Sequence, residues 1–392
     1  MKIAFLTSEF PHLKIGASGG IGTSIFNLSK GLISMGHEVI LFVYGQKKDD
    51  YFEEKGIKYY LIKNIKLKGF SRFLTQKKIE KIINKCQIDI LEAPDWTGIT
   101  SSIKPNCKVV ICIHGSDTYF CSLDHRPVKF LNKFYEKKAL QNADALKSVS
   151  QYAADLTNEL FDLKSQFTII PNSIDISHFT NDNVEVNKET IILYFGTLIR
   201  KKGLLELPLI FNQVYKKNPN VKLVLIGKDA SDVISGNSST WNMMKTLFDK
   251  DALNKVAYLG SVPYERIKEY ICEAKVCVFP TFAEALPVSW IEAMALEKAI
   301  VASNIGWASE VIDDGKNGFL VHPKNHKKFA DKIVALLKDR ELAIDFGKQA
   351  RIKVTTHFSI TVVAQKSVAY YEIAINTSLL ANNNENSDTY AP

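Results

Sequence analysis

The strongest constraint on this chain is a rhythm that runs twice. Short apolar runs alternate with segments of helical period: KIAFLTS, a helix from about Ile21, then EVILFVY, IKYYLI, a helix through residues 73 to 85, IDILEA and KVVICIH. Apolar runs of this kind, separated by helices, belong to a mostly parallel sheet covered on both faces. After FTIIPNSIDISHF the chain turns polar (TNDNVEVNKET), and the rhythm restarts with IILYFG, VKLVLIG, KVAYLG, KVCVFPT and AIVAS. The fold class that follows is α/β, with two Rossmann-like domains joined by a linker at about 175 to 188. The 392 residues, 46% apolar, suffice for two domains of roughly 150 to 200 residues, each with its own core. A last helical segment, about 358 to 380, lies beyond the second sheet, and residues 381 to 392 read as a polar, disordered tail.

Other features narrow the function. The N-terminus runs straight into a strand with no cleavage site, and no apolar run approaches the roughly 18 residues that span a bilayer, so a cytoplasmic location is expected. Six cysteines without CxxC pairs suit a reducing compartment and imply no metal. The net charge of +8 is matched by residues 56 to 85 alone, where nine basic residues stand against Glu80 (9 − 1 = +8). Interleaved with Leu67, Phe70, Phe73 and Leu74, they could lie on an anionic membrane surface; a solvated helix face with its apolar side on the core is the plainer alternative. No nucleic-acid reading motif accompanies these charges.

GASGGIG, within residues 14 to 32, invites a dinucleotide reading. That fingerprint needs its glycines directly after the first strand and an acid about 20 positions on. Here SEFPHLKI intervenes, the second strand ends in VYGQ, and the YxxxK pairs Tyr51–Lys55 and Tyr264–Lys268 fall in unsuitable places. What remains is glycine backbone able to approach an anion at a helix N-terminus. In the second half, TFAEALPVSWIEAMALEKAIVAS places Glu284 in the loop after a strand and Glu292 in the early turns of a helix expected to begin at Pro287. Two carboxylates flanking one helix N-terminus suit a diphosphate with a sugar on one side and a ribose on the other.

The E-x7-E spacing, EAMA and AIVAS resemble the donor site of family 4 of the retaining glycosyltransferases, of the bacterial surface-polysaccharide type. The resemblance extends to GGIGTSIFNLSKGLISMGHEVILF, IHGSD, IIPNSID, YFGTLIRKKG and DDGKNGFLVHP. It implies the GT-B architecture: an acceptor domain (1–178) and a donor domain (188–357) facing a cleft, with the last helix (358–380) crossing back to the first domain. It implies that Glu292 holds ribose hydroxyls, Glu284 the transferred sugar, Lys202 the leaving diphosphate, and His114 the sugar from the other domain. The arginine usual after the motif's glycine is Thr197 here, with Arg200 as the substitute charge. Pro287 has no N–H, so the phosphates fall to the amides of Val288 and Ser289 beside Leu286. Gly19 and Gly20 would approach the diphosphate or the acceptor. Base selection would involve Gly260 to Pro263, and acceptor candidates are Glu92, Asp95, Trp96 and Asp117 to Tyr119.

The implied reaction moves a sugar from a UDP- or GDP-linked donor to a glycan or lipid-linked acceptor with no cofactor. The DxD match Asp249–Asp251 lies in a polar helical stretch and reads as solvated surface, so no metal is required. Two alternatives stand beside it, an NAD-dependent oxidoreductase built on GASGGIG and a catalytically silent GT-B scaffold.

Overall fold

The computed structural model describes residues 1–16, 18–180 and 189–385. The chain divides into two units, Met1–Ser173 with the chain from Ile360, and Ile174–Ser359. The first contains β1 (Lys2–Thr7), β2 (Glu38–Gln46), β3 (Asp50–Glu54), β4 (Ile57–Lys63), β5 (Ile90–Pro94), β6 (Lys108–Ile113), β7 (Ala145–Ser148) and β8 (Thr168–Ile169). Their order is β3-β4-β2-β1-β5-β6-β7-β8, parallel except for the β3–β4 hairpin. β1, β5 and β6 are buried almost throughout, as strands covered on both faces must be. The unexpected β3 is acidic DYFEE on the sheet edge, where charge discourages further pairing. Lys55 and Gly56 turn the hairpin with φ of 52° and 77°, the left-handed pair that matches strand twist in a two-residue loop.

The second unit contains β9 (Thr190–Phe195), β10 (Val221–Ile226), β11 (Val256–Tyr258), β12 (Val276–Phe279), β13 (Ala299–Ala302) and β14 (Phe319–Leu320). They form a parallel sheet in the order β11-β10-β9-β12-β13-β14. Strand order reverses beside β1 in the first sheet and beside β9 in the second. The crevice at the carboxyl ends of the strands flanking such a reversal is where open α/β sheets bind ligands.

The unit boundary falls earlier than the expected residue 178. Ile174 N–H donates to Phe358 O at 2.8 Å. Arg351 donates to Phe179 O at 2.7 Å and to Ile176 O at 3.2 Å, so 174–179 is held by the second unit. Of the expected linker, residues 181–188 lie outside the described residues. The last helix spans Ile360–Glu385, so the tail placed at 381 begins in helix; residues 386–392 are outside the described set.

This helix packs in the first unit against helix Gly20–Ser34. Ile25, Leu28 and Leu32 share one core with Val363, Ala364, Tyr371 and Ala374. Gly31 permits the contact: a Cβ there would lie 2.7 Å from Ala364 Cβ and 2.9 Å from Ile360 O. Gly31→Ala should therefore lower stability by roughly 1–3 kcal/mol, the usual cost of overpacking. A urea midpoint equal to wild type would contradict this packing.

Candidate active site

The second unit's site is assembled at the carboxyl ends of β9 and β12, the reversal point of its sheet. After β9, Gly196 (φ +141°) leads to Thr197, and a short helical turn, Arg200–Lys202, ends at Gly203 (φ +73°). A Cβ on Gly203 would sit 1.7 Å from Pro280 O, so only glycine allows this turn to touch the loop leaving β12. Phe282 and Ala283 donate N–H bonds to Lys201 O at 2.8 and 3.2 Å, which joins turn and loop. Lys202 Nζ then meets Glu284 Oε1 at 2.6 Å, in a half-buried ion pair.

Helix Val288–Ala295 follows. Pro287 is not its first residue but the one before it (φ −76°, ψ 115°). Leu286 is buried, while Val288 and Ser289 are half-buried in the first turn, at the positive end of the helix. Glu292 is 5% exposed and accepts a bond from Tyr264 Oη at 2.7 Å. Burial raises its pKa to about 7, against the opposing effects of the Tyr264 hydrogen bond and the Lys202 charge. Lys202 thus acts electrostatically on both glutamates of the E-x7-E pair.

Arg200 does not join them. Its Nε and Nη2 form a two-point pair with Asp232 at 2.8 and 2.7 Å, and Ser235 N–H donates to the same carboxylate at 3.0 Å. The substitute charge expected after Thr197 is thereby neutralised by its own partner, and Lys202 is the cation beside Glu284. Asp249 pairs with Lys216 at 3.1 Å on the surface. Among the described residues no group of three or more His, Cys, Asp and Glu side chains could hold a metal ion.

In the first unit His114 follows β6. It is half-buried, and burial first and Lys147 second hold its pKa down at about 3, so the imidazole is neutral at physiological pH. The His114 backbone N–H donates to Asp95 Oδ1 at 2.9 Å, and burial raises the Asp95 pKa to about 7. Most acceptor candidates are engaged by other side chains of the first unit. Glu92 is buried against Lys147 Nζ at 2.6 Å and also accepts from Tyr371. Tyr119 is fully buried, Thr118 donates to Glu136, and Asp117 accepts from Asn132 at 2.8 Å. Trp96 opens a short turn, Trp96–Gly98, half-buried.

The glycine loop holds a residue that its sequence motif does not reveal. Glu9, just past β1, accepts Gly22 N–H on Oε1 at 3.0 Å and takes one of the free amides of helix Gly20–Ser34. Gly19, the residue before that helix, would bring a Cβ within 3.2 Å of this carboxylate, whereas a Cβ on Gly20 meets no described atom within 4 Å. Gly22 is closely packed, since a Cβ there would lie 3.0 Å from Glu9 O and 3.1 Å from Phe10 Cα. Tyr264 was equally hidden: it follows the expected base-selecting segment 260–263 directly, but its YxxxK spacing pointed to the wrong chemistry.

Comparison with known proteins places these features. The fold is similar to that of a sucrose-phosphate synthase from Thermosynechococcus elongatus (TM-score 0.77, 20% identity, 96% of this chain and 100% of that one). It is also similar to Anabaena HepE, solved in complex with UDP-glucose (TM-score 0.72, 18% identity, 97% and 100%). These are GT-B structures, and this chain is a GT-B protein of two Rossmann-like units. Residues 18–178 match the description Glycosyltransferase Family 4 and residues 175–353 match Glycosyl transferases group 1. The chain belongs to glycosyltransferase family 4 and is a glycosyltransferase enzyme. The alpha-monoglucosyldiacylglycerol synthase of Acholeplasma laidlawii is 23% identical over 366 residues, 85% of this chain and 88% of that one. The family disfavours the oxidoreductase alternative drawn from GASGGIG.

The Glu292 pKa has a signed consequence. Raised from 4.5 to about 7, it leaves the fold at full strength below pH 4.5 and costs stability as the pH rises through 7. Glu292→Gln keeps an acceptor for Tyr264 but cannot ionise. Its stability relative to wild type should rise by up to about 3 kcal/mol from pH 4.5 to 8, at ~1.4 kcal/mol per pH interval. Urea titrations at both pH values check this, and a pH-independent difference would contradict it.

Proposed function

We propose that the chain is a retaining hexosyltransferase. It moves a sugar from a UDP- or GDP-linked donor to a hydroxyl of a glycan or lipid-linked acceptor in surface polysaccharide or glycolipid assembly, without a metal. The observation that carries this reading is the convergence of Lys202, Glu284 and Glu292 around one helix N-terminus at the sheet's reversal point. In this reading the ribose hydroxyls bind Glu292, and the diphosphate lies on the amides of Val288 and Ser289. Lys202 turns its charge toward the leaving phosphate, while Glu284 keeps the ammonium in place and takes hydroxyls of the sugar. In the first unit, neutral His114 offers a hydrogen-bond donor suited to a sugar hydroxyl, and Gly20 offers open backbone suited to an acceptor.

The chemistry needs no protein base. The acceptor oxygen forms its bond to the anomeric carbon on the face from which the phosphate departs, and the departing phosphate oxygen takes the acceptor's proton. Charge therefore grows on the diphosphate as the bond breaks, and a cation placed there contributes most in the transition state. HepE was solved with UDP-glucose and the Acholeplasma relative is named for a glucosyl lipid, which supports a uridine donor and a lipid acceptor as the first to test. The same lipid chemistry supports a peripheral position at the cytoplasmic membrane face; no helix among the described residues is long and apolar enough to cross a membrane.

Calorimetric titration without metal using UDP, GDP, ADP and NAD tests the site. One nucleoside diphosphate should bind, and Glu292→Gln should weaken it; binding of NAD alone, or an unaffected variant, would overturn the assignment. In transfer assays Lys202→Ala should lower kcat by on the order of 10²-fold while changing nucleotide affinity much less. Equal losses in affinity and kcat would restrict Lys202 to ground-state binding.

A further inference from the structure

The first unit carries an exposed apolar surface that its core does not use. Helix Ser71–Cys86 turns Thr75, Gln76, Ile79 and Ile83 inward, so the core-facing alternative holds for the helix itself. Leu67, Phe70 and Phe73 at its start nonetheless stand 53, 63 and 50% exposed. Helix Phe130–Gln141 likewise buries Glu136, Ala139 and Leu140 but leaves Phe130, Leu131 and Phe134 at 80, 60 and 49%. The two groups are joined. The Arg72 guanidinium lies 4.2 Å over the Tyr135 ring and donates to Gly98 O at 2.7 Å, while Tyr135 meets Phe134 edge-on at 5.4 Å.

Topology sets both groups at one edge. The segment before Ser71 leaves β4 at its carboxyl end, and helix Phe130–Gln141 feeds the amino end of β7. The N-terminal halves of both helices therefore stand at the carboxyl edge of the sheet, the edge that carries His114 and Gly20. Charge follows the same surface. Lys66 and Lys68 precede the first helix, and Lys129 and Lys133 lie just before and in the N-terminal half of the second. Lys66, Lys68, Lys129 and Lys133 are exposed and form no ion pair among the described residues. Lys77 and Lys78, by contrast, are engaged by Glu80 and Asp49.

We propose that these six apolar side chains and the lysines around them form an interfacial docking face for an anionic lipid bilayer. Aromatic and leucine side chains enter the boundary between headgroups and acyl chains, and lysines meet the lipid phosphates. A second copy of the chain is a poorer occupant, because it would set two strongly basic surfaces against each other. The face rests on the lipid-linked half of the proposed function and makes that half specific, since it sets the acceptor edge of the first unit against the membrane. The donor site stands independently of it.

Co-sedimentation with phosphatidylcholine vesicles, with and without phosphatidylglycerol, tests the proposal. Wild type should bind the anionic vesicles and release them in high salt. Binding should fall roughly tenfold or more in Phe130→Ser/Leu131→Ser/Phe134→Ser and in Lys129→Glu/Lys133→Glu, with unchanged melting temperatures because the sites are exposed. Equal binding to both vesicle types, variants that bind like wild type, or a wild-type dimer that the serine variant converts to monomer would overturn it. UDP, GDP and ADP titrations on the same samples separate the two readings. Nucleotide binding without vesicle binding removes only the docking face, and vesicle binding without nucleotide binding removes only the donor assignment.

Discussion

The candidate site of the second unit depends on one backbone approach, Gly203 against the carbonyl of Pro280. With a Cβ 1.7 Å from that oxygen, any other residue would push the Arg200–Lys202 turn away from the loop after β12. The approach lets Lys201 O collect two N–H groups from that loop. Only then can Lys202 reach Glu284 at 2.6 Å. Lys202 is therefore placed by main-chain contacts that need no ligand, and in the proposed reaction little reorganisation would be left for the moment when charge develops.

Electrostatics divides the two glutamates. Glu284 lies against a cation, whereas Glu292 is buried with a neutral hydroxyl as its direct partner, and its pKa climbs to about 7. A carboxyl held near that value can accept or donate to a ribose diol, and bound hydroxyls would supply the solvation that burial removes. His114 is moved the opposite way, with its pKa held at about 3, for the same reason, loss of water around the charged form. It remains a neutral donor, which suits contact with sugar hydroxyls better than with phosphate.

The βα rhythm made both sheets legible because parallel strands buried on two faces must be continuously apolar, as IILYFG and KVCVFPT are. β3, β7, β8 and β14 escaped for the complementary reason: they are short or polar and carry no such pattern. The E-x7-E pair was legible because both carboxylates belong to one loop and helix. Tyr264 and Glu9 were not, since each acts through a partner 28 or 13 positions away that only the folded chain supplies. Arg200 illustrates the converse. Its spacing from Lys202 suggested a second cation for the phosphate, but Asp232, on the loop after β10, meets its guanidinium at two points.

Glu92 shows how a carboxylate at a ligand-facing edge can serve the fold instead. It is buried with Lys147 at 2.6 Å, and Tyr371 of the last helix donates to the same oxygen. Desolvating such a pair costs about as much as its attraction returns, so the gain in stability is small. The gain is in register: the Tyr371 hydroxyl meets Glu92 at only one rotation and height of helix Ile360–Glu385, while the apolar contacts of Val363, Ala364 and Ala374 would tolerate others. Lys147 also faces His114 and helps keep it neutral. One buried lysine thus links the seating of the last helix to the protonation state of His114.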